Sequence, residues 1–156
     1  MARIERAASV RFRDVGLGEL AEDGHAPPDA EVESFIAAGN VLMAEIAGNP
    51  VGFAAMGTAD GCAHLIEIDV VPDAGGKGIG RALVEAICAQ AKAQGFGRIT
   101  LSTFRDVAWN APFYAHCGFD EYPENLWGPD HRRIWQRQSG NGLDMTRRLF
   151  MVRALT

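Results

Sequence analysis

Apolar and polar positions alternate from His64 to Val71 (HLIEIDVV), with Ile66, Ile68 and Val70 on one side and Leu65, Glu67, Asp69 and Val71 on the other. That is the period of a β-strand, and it puts two carboxylates on one face. After a glycine-rich run, Leu83, Val84, Ile87, Cys88 and Ala91 repeat at helical spacing, and Gly95 stands where a helix ends. Arg98 to Phe104 (RITLSTF) then reads as a second strand. Upstream, the pattern predicts a charged amphipathic helix over Ala2 to Arg13, a loop rich in Gly and Pro, and a short helix from about Asp29 to Ala38. Strands Val41 to Ala47 and Val51 to Gly57 flank Gly48-Asn49-Pro50 as a hairpin, and Gly61 turns the chain into the strand that carries Glu67. Downstream, Asn110 to His116 reads as a short helix with Pro112 near its start, closed by Gly118-Phe119. Pro129 to Gln138 reads as a further helix, Gly140 to Asp144 as a turn and Arg147 to Ala154 as a last strand. Helices alternating with strands imply a three-layer α/β/α domain.

The run Gly75-Gly76-Lys77-Gly78-Ile79-Gly80-Arg81 joins strand to helix. A turn with little Cβ obstruction lets main-chain N–H groups converge on an anion, and the helix behind it adds its open N–H groups and the positive end of its dipole. No Ser or Thr follows Lys77, as a Mg-binding P-loop needs, and the glycine spacing does not fit a Rossmann fingerprint. By itself the run serves equally as a surface turn.

With its flanks, this region resembles the GNAT superfamily of acyl-CoA-dependent N-acyltransferases, from about Val41 to the C-terminus. The signature of that family is a strand, an (Arg/Gln)-x-x-Gly-x-(Gly/Ala) turn and a helix that together hold the pyrophosphate of coenzyme A. The resemblance implies a mixed, mostly antiparallel central sheet and a single domain over residues 1–156, with acetyl-CoA as cosubstrate. It assigns Gly75, Gly76, Lys77, Gly78, Ile79, Gly80 and Arg81 to the coenzyme phosphates, and the main chain near Val70 and Val71 to the thioester and its oxyanion. In Thr103 to Tyr114, followed by Gly118-Phe119, Asn110 matches the residue that bonds the coenzyme arm and Tyr114 the one beside the thioester sulfur. Three departures stand out. Ile4 to Ala8 already reads as helical with only three residues before it, so the first strand of the family is expected to be missing or to lie upstream of Met1; Gly75 replaces the usual Arg or Gln; and Asn110 stands closer to Tyr114 than is usual. Asn110 reads equally as a helix N-cap, and Tyr114 taken alone reads as a core aromatic.

The chemistry implied is direct transfer of an acetyl group to a primary amine. An amine resembling lysine has a pKa of about 10 and must lose a proton before it attacks. Glu67 is the expected general base, directly or through a water, with Asp69 in reserve, although either reads equally as a solvated or ion-paired residue. The leaving thiolate, of pKa about 8.5, is matched to the Tyr114 phenol as acid. Because no covalent enzyme intermediate is needed, Cys62, Cys88 and Cys117 read as packing residues.

Composition narrows the picture only slightly. A chain of 156 residues can bury a core without disulfides, and three widely spaced cysteines indicate neither a disulfide framework nor a zinc site. His25, His64, His116 and His131 have no metal-ligand spacing, so no metal is expected. A net charge of −5 argues against nucleic acid as the main partner and mildly favours a cationic substrate. Without a basic-apolar leader or a long apolar run, a cytoplasmic protein with no membrane partner is expected. Trp109, Trp127, Trp135, Phe12 and Phe35 read either as walls of an acceptor pocket or as packing. The acceptor, a small amine or a protein amino group, stays open, as does pairing into a homodimer through an open sheet edge. Two other classes stand beside the enzyme: a non-catalytic acyl-CoA-binding sensor, and an unrelated α/β nucleotide binder.

Overall fold

A computed structural model describes residues 1–9 and 29–156. The helices are α1 (Ala2–Ser9), α2 (Asp29–Ala37), α3 (Ile79–Ala93), α4 (Ala111–His116) and α5 (Pro129–Gly140). The strands are β1 (Val41–Ile46), β2 (Asn49–Ala59), β3 (Cys62–Val70), β4 (Arg98–Phe104), β5 (Asp120–Glu121) and β6 (Arg148–Ala154), and they form one six-stranded sheet in the order β1-β2-β3-β4-β6-β5. One pair, β3 with β4, is parallel; β1–β2, β4–β6 and β5–β6 are antiparallel. The sheet is therefore mixed and mostly antiparallel, as expected. Val10 to Arg13 of the expected first helix, together with Phe12 and His25, lie outside the described residues. Among the described residues no strand stands before β1.

The chain divides into two compact units. The first holds Met1–Met56 and Glu67–Ile87. Its β1–β2 turn begins one residue earlier and ends two residues earlier than the sequence suggests: Ala47 (φ 50°) and Gly48 (φ 79°) occupy it, while Asn49 and Pro50 already belong to β2. A two-residue hairpin turn of this kind needs positive φ at both central positions, and Gly48 can supply only one of them. Pro50 is tolerated because it lies near the start of β2, opposite Glu45, where the β1–β2 register shifts. Phe53, Ala54, Ala55 and Met56 of β2 are buried, as are Leu83, Val84 and Ile87, the stripe read from the helical period of α3.

The second unit holds Gly57–Ile66 and Cys88–Thr156. Its spine is the β4–β6 ladder, paired from Arg98↔Ala154 to Phe104↔Arg148. The parallel pairing with β3 is short, from Ala63↔Ile99 to Leu65↔Leu101. Asp60 (φ 48°) and Gly61 (φ 75°) form a second turn with two positive φ angles, between β2 and β3. Strand β5, too short to give a periodic signal, was not legible in the sequence; it pairs Asp120 with Val152 and Glu121 with Met151. The core of this unit includes Ile99, Leu101, Val107, Phe119 and Phe150.

Candidate functional site

The expected site residues fall into two groups. Glu67, Asp69, Val70, Val71 and Gly75 to Arg81 lie in the first unit, and Asn110 and Tyr114 in the second. In the first unit a 3-10 turn, Pro72–Ala74, ends β3 and leads into the glycines. Gly75 is extended and its N–H closes that turn on the Pro72 carbonyl at 3.0 Å. Gly76 (φ 72°) and Gly78 (φ 77°) are left-handed, with open space where a Cβ would be. An L side chain at either would be strained by its backbone rather than by a clash. The first i→i−4 bond of α3 runs from Ala82 N–H to the Gly78 carbonyl at 3.0 Å. Ile79, Gly80 and Arg81 are thus the opening turn of the helix, where N–H groups have no intrahelical acceptor. This geometry fits a pyrophosphate. Lys77 and Arg81 are exposed beside it.

Strand β3 changes character along its length. Cys62 to Leu65 are buried, whereas Ile66 is 36% exposed and Glu67 to Val70 are half-buried. The face expected to be apolar core is therefore uncovered at Ile66, and Glu67 and Asp69 sit where both solvent and protein reach them. Beyond the end of β3, Val71 N–H is spent on the Val51 carbonyl at 2.8 Å. Between Asp69 and Gly52 the main chains approach so closely that a Cβ on Gly52 would stand 2.8 Å from the Asp69 carbonyl oxygen.

Tyr114 is placed by the way α4 ends. Gly118 (φ 84°) donates to the Ala115 carbonyl at 3.1 Å, and Phe119 N–H donates to the Tyr114 carbonyl at 3.0 Å. This is the Schellman arrangement, which favours an apolar contact between the residues at its two ends. Tyr114 and Phe119 make that contact, ring centroids 5.8 Å apart. The spacing of Tyr114 from Gly118-Phe119 is thus a helix-end geometry, and it holds the Tyr114 ring, 8% exposed, against Phe119. Asn110 does occupy the N-cap position of α4, but its side chain makes no capping bond. Its Oδ1 instead accepts from the Thr103 hydroxyl at 2.5 Å, which aims the amide by a residue of β4.

Sequence reasoning missed a buried polar chain in the second unit. Asp60 Oδ1 and Oδ2 accept from the backbone N–H groups of Asp130 (2.9 Å) and His131 (3.0 Å), and Asp130 Oδ2 accepts from Asp60 N–H at 2.8 Å. Helix α5 has no capping side chain of its own, so Asp60 caps it from the β2–β3 turn. The chain continues inward: His131 Nδ1 meets Asp60 Oδ2 at 2.6 Å, His131 Nε2 meets Thr100 Oγ1 at 3.0 Å, and Thr100 Oγ1 meets His64 Nδ1 at 2.8 Å. One proton order satisfies every member, with His64 donating to Thr100, Thr100 to His131 and His131 to Asp60. Burial pushes His64 down to about 3, with a smaller contribution from the Arg137 charge, so it is neutral. Burial raises the Asp60 carboxyl, but the bonds from His131 outweigh it and the net shift is downward. The partners lie about seventy positions apart in sequence, beyond the reach of any local pattern.

Near the other end of β4, Arg148 Nη2 donates to Ser102 Oγ at 2.8 Å and to Gln138 Oε1 at 3.4 Å, while Ser102 donates to the same Gln138 oxygen at 2.9 Å. The Arg148 guanidinium lies 4.5 Å from the Phe104 ring centroid. Trp127 and Trp135 pack on each other at 4.8 Å and on Phe150, which is fully buried. The three cysteines are buried and unbridged. Among the described residues no group of three or more His, Cys, Asp or Glu is placed to hold a metal ion, and no helix is long and apolar enough to cross a membrane.

Several solved structures share this fold. N-acetylglutamate synthase from Neisseria gonorrhoeae, complexed with coenzyme A and N-acetyl-glutamate, superposes with a TM-score of 0.70 at 24% identity, over 97% of this chain and 32% of that one. The chain thus spans about a third of the length of that synthase. The PaiA N-acetyltransferase from Thermoplasma acidophilum, in complex with coenzyme A, gives 0.63 at 14% identity over 98% of this chain and 89% of that one. The ribosomal-protein-S18-alanine N-acetyltransferase from Escherichia coli gives 0.60 at 21% identity over 99% and 85%. Residues 10–119 match the model of the acetyltransferase (GNAT) family, and the chain belongs to that family.

Proposed function

We propose that this protein transfers the acetyl group of acetyl-CoA directly to a primary amine. The observation that carries the reading is the Gly75 to Arg81 turn, with two left-handed glycines opening onto the first turn of α3. It supplies main-chain donors for the coenzyme pyrophosphate without relying on the arginine or glutamine that Gly75 replaces. Asn110, its Oδ1 taken by Thr103, presents Nδ2 to the coenzyme arm. Glu67 takes the proton of the attacking ammonium, directly or through a water, and Asp69 is the reserve. Because Val71 N–H already has an acceptor, the oxyanion falls to the backbone at Val70. Tyr114 gives its phenolic proton to the departing thiolate.

Titration calorimetry with acetyl-CoA, CoA, ATP and NAD tests the turn. Saturable binding of both CoA species, and of neither ATP nor NAD, is expected. A preference for ATP or NAD would sink the assignment. Tyr114→Phe separates an enzyme from a binding module: turnover, followed as free thiol, should fall by about 10²-fold with coenzyme affinity nearly unchanged.

A further inference from the structure

Gly52 of β2 is buried, and its φ lies in the range that any residue adopts, so its own backbone does not require glycine. Its neighbours do. A Cβ there would stand 2.8 Å from the Asp69 carbonyl oxygen, 3.2 Å from Leu83 Cδ1 and 3.2 Å from Val70 Cγ2, all in the first unit. The first of these is closer than van der Waals contact allows, and the obstacle is main chain, which has no free end to swing aside. The Asp69 carbonyl and the Val70 N–H belong to one trans, planar peptide, so they point in opposite directions. With the carbonyl turned towards Gly52, the Val70 N–H is turned away from β2. Strand β3 lies between β2 and β4 in the sheet, and its ladder with β4 runs only from Ala63↔Ile99 to Leu65↔Leu101. The next N–H, that of Val71, points the other way and bonds the Val51 carbonyl of β2 at 2.8 Å. Gly52 thus sits against the peptide at which β3 turns one donor away from β2 before giving it the next.

We propose that Gly52 is a positioning residue for acetyl transfer: the space left by its missing side chain lets the Asp69–Val70 peptide settle against β2 and aims the Val70 N–H at the oxyanion. The proposal rests on the acetyl-transfer reading above, which gives the oxyanion to Val70. An added methyl group must displace that peptide, because Val70 and Leu83 close the space on its other sides. A donor misplaced by about 1 Å costs about 10²-fold in rate.

The test compares Gly52→Ala with Gly48→Ala in the full chain, by thiol release from acetyl-CoA with free amino acids, polyamines and a lysine-containing peptide as acceptors, by calorimetry with CoA, and by melting. Gly48 has a φ of 79° and open space where a Cβ would be, so its alanine variant strains the β1–β2 turn alone. It should melt lower and keep the parent kcat. Gly52→Ala should lose about 10²-fold in kcat well below its melting temperature, with CoA affinity within a few-fold of the parent. Since overpacking can stop that variant from folding, Gly52→Ala is also made on Leu83→Ala, which opens the helix side and leaves the Asp69 carbonyl contact in place. Against Leu83→Ala alone it should show the same loss. A parent-like kcat in Gly52→Ala, recovery of kcat in the double variant, or weakened CoA binding at unchanged kcat overturns the positioning role and leaves acetyl transfer standing. In the parent, the Val70 amide resonance should move when acetyl-CoA replaces CoA, and the Val71 amide should not. The reverse overturns the oxyanion assignment and the role of Gly52 with it, and no thiol release from any acceptor overturns acetyl transfer as well.

Discussion

Glu67 and Asp69 lie on the same face of β3, two residues apart, at positions reached by solvent and protein alike. If Glu67 is the base, Glu67→Gln lowers kcat by about 10² to 10⁴-fold and removes the acidic limb of the pH–rate profile, while Asp69→Asn changes turnover only a few-fold. Steady-state rates across pH decide the matter, and the opposite ranking hands the role to Asp69. The carboxylate pair was legible because period-two alternation fixes which side chains share a face. Arg148 was not, because an arginine at the head of a strand looks solvated until Ser102, Gln138 and Phe104 are seen around it.

Helix ends do much of the positioning. The Gly118 terminus of α4 holds Tyr114 against Phe119, and that much was readable, since its glycine and the apolar residue after it are adjacent in sequence. The start of α5 is the opposite case. Gly128 stands at its N-cap, and a Cβ there would lie 2.5 Å from the Asp60 carboxylate. That carboxylate can swing away, so Gly128→Ala costs lost hydrogen bonds rather than a fixed clash. A loss of about 1–3 kcal/mol is expected, read as a fall of several degrees in melting temperature. Asp60→Ala should cost at least as much, and the two together should cost less than their sum because they break one set of bonds. Strict additivity in the double-mutant cycle would show that Asp60 does not act through α5.

For the molecule as a whole, His64 predicts how stability responds to acid. Folded His64 stays neutral down to about pH 3, whereas in the unfolded chain it takes up a proton near 6.5. Between those values the unfolded state binds more protons, so stability falls as pH is lowered, by up to about 1.4 kcal/mol per unit from this group, and is unaffected by it above 6.5. Denaturant melts at pH 7, 6, 5 and 4 should show this slope, and His64→Asn, which keeps a donor for Thr100, should flatten it. An unchanged slope in that variant would refute the assignment. At this scale the sequence disclosed the sheet class and the glycine turn between β3 and α3, both built from neighbours in the chain. It concealed the ties between distant segments, the short β5 and the shift of the β1–β2 turn onto Ala47, because each depends on a partner strand or on a conformational strain that local composition does not record.

The capping of α5 from the β2–β3 turn also bears on any attempt to exchange that helix between relatives. Residues 128–140 include Gln138, one of the groups that set the Arg148 guanidinium, and look like a self-contained cassette for grafting between relatives. They are not self-contained, because the bonds that start their helix come from Asp60, seventy positions earlier. A chimera that moves the helix and leaves Asp60 behind should lose its register before its chemistry can be compared, so the exchangeable piece is two stretches of sequence moved together.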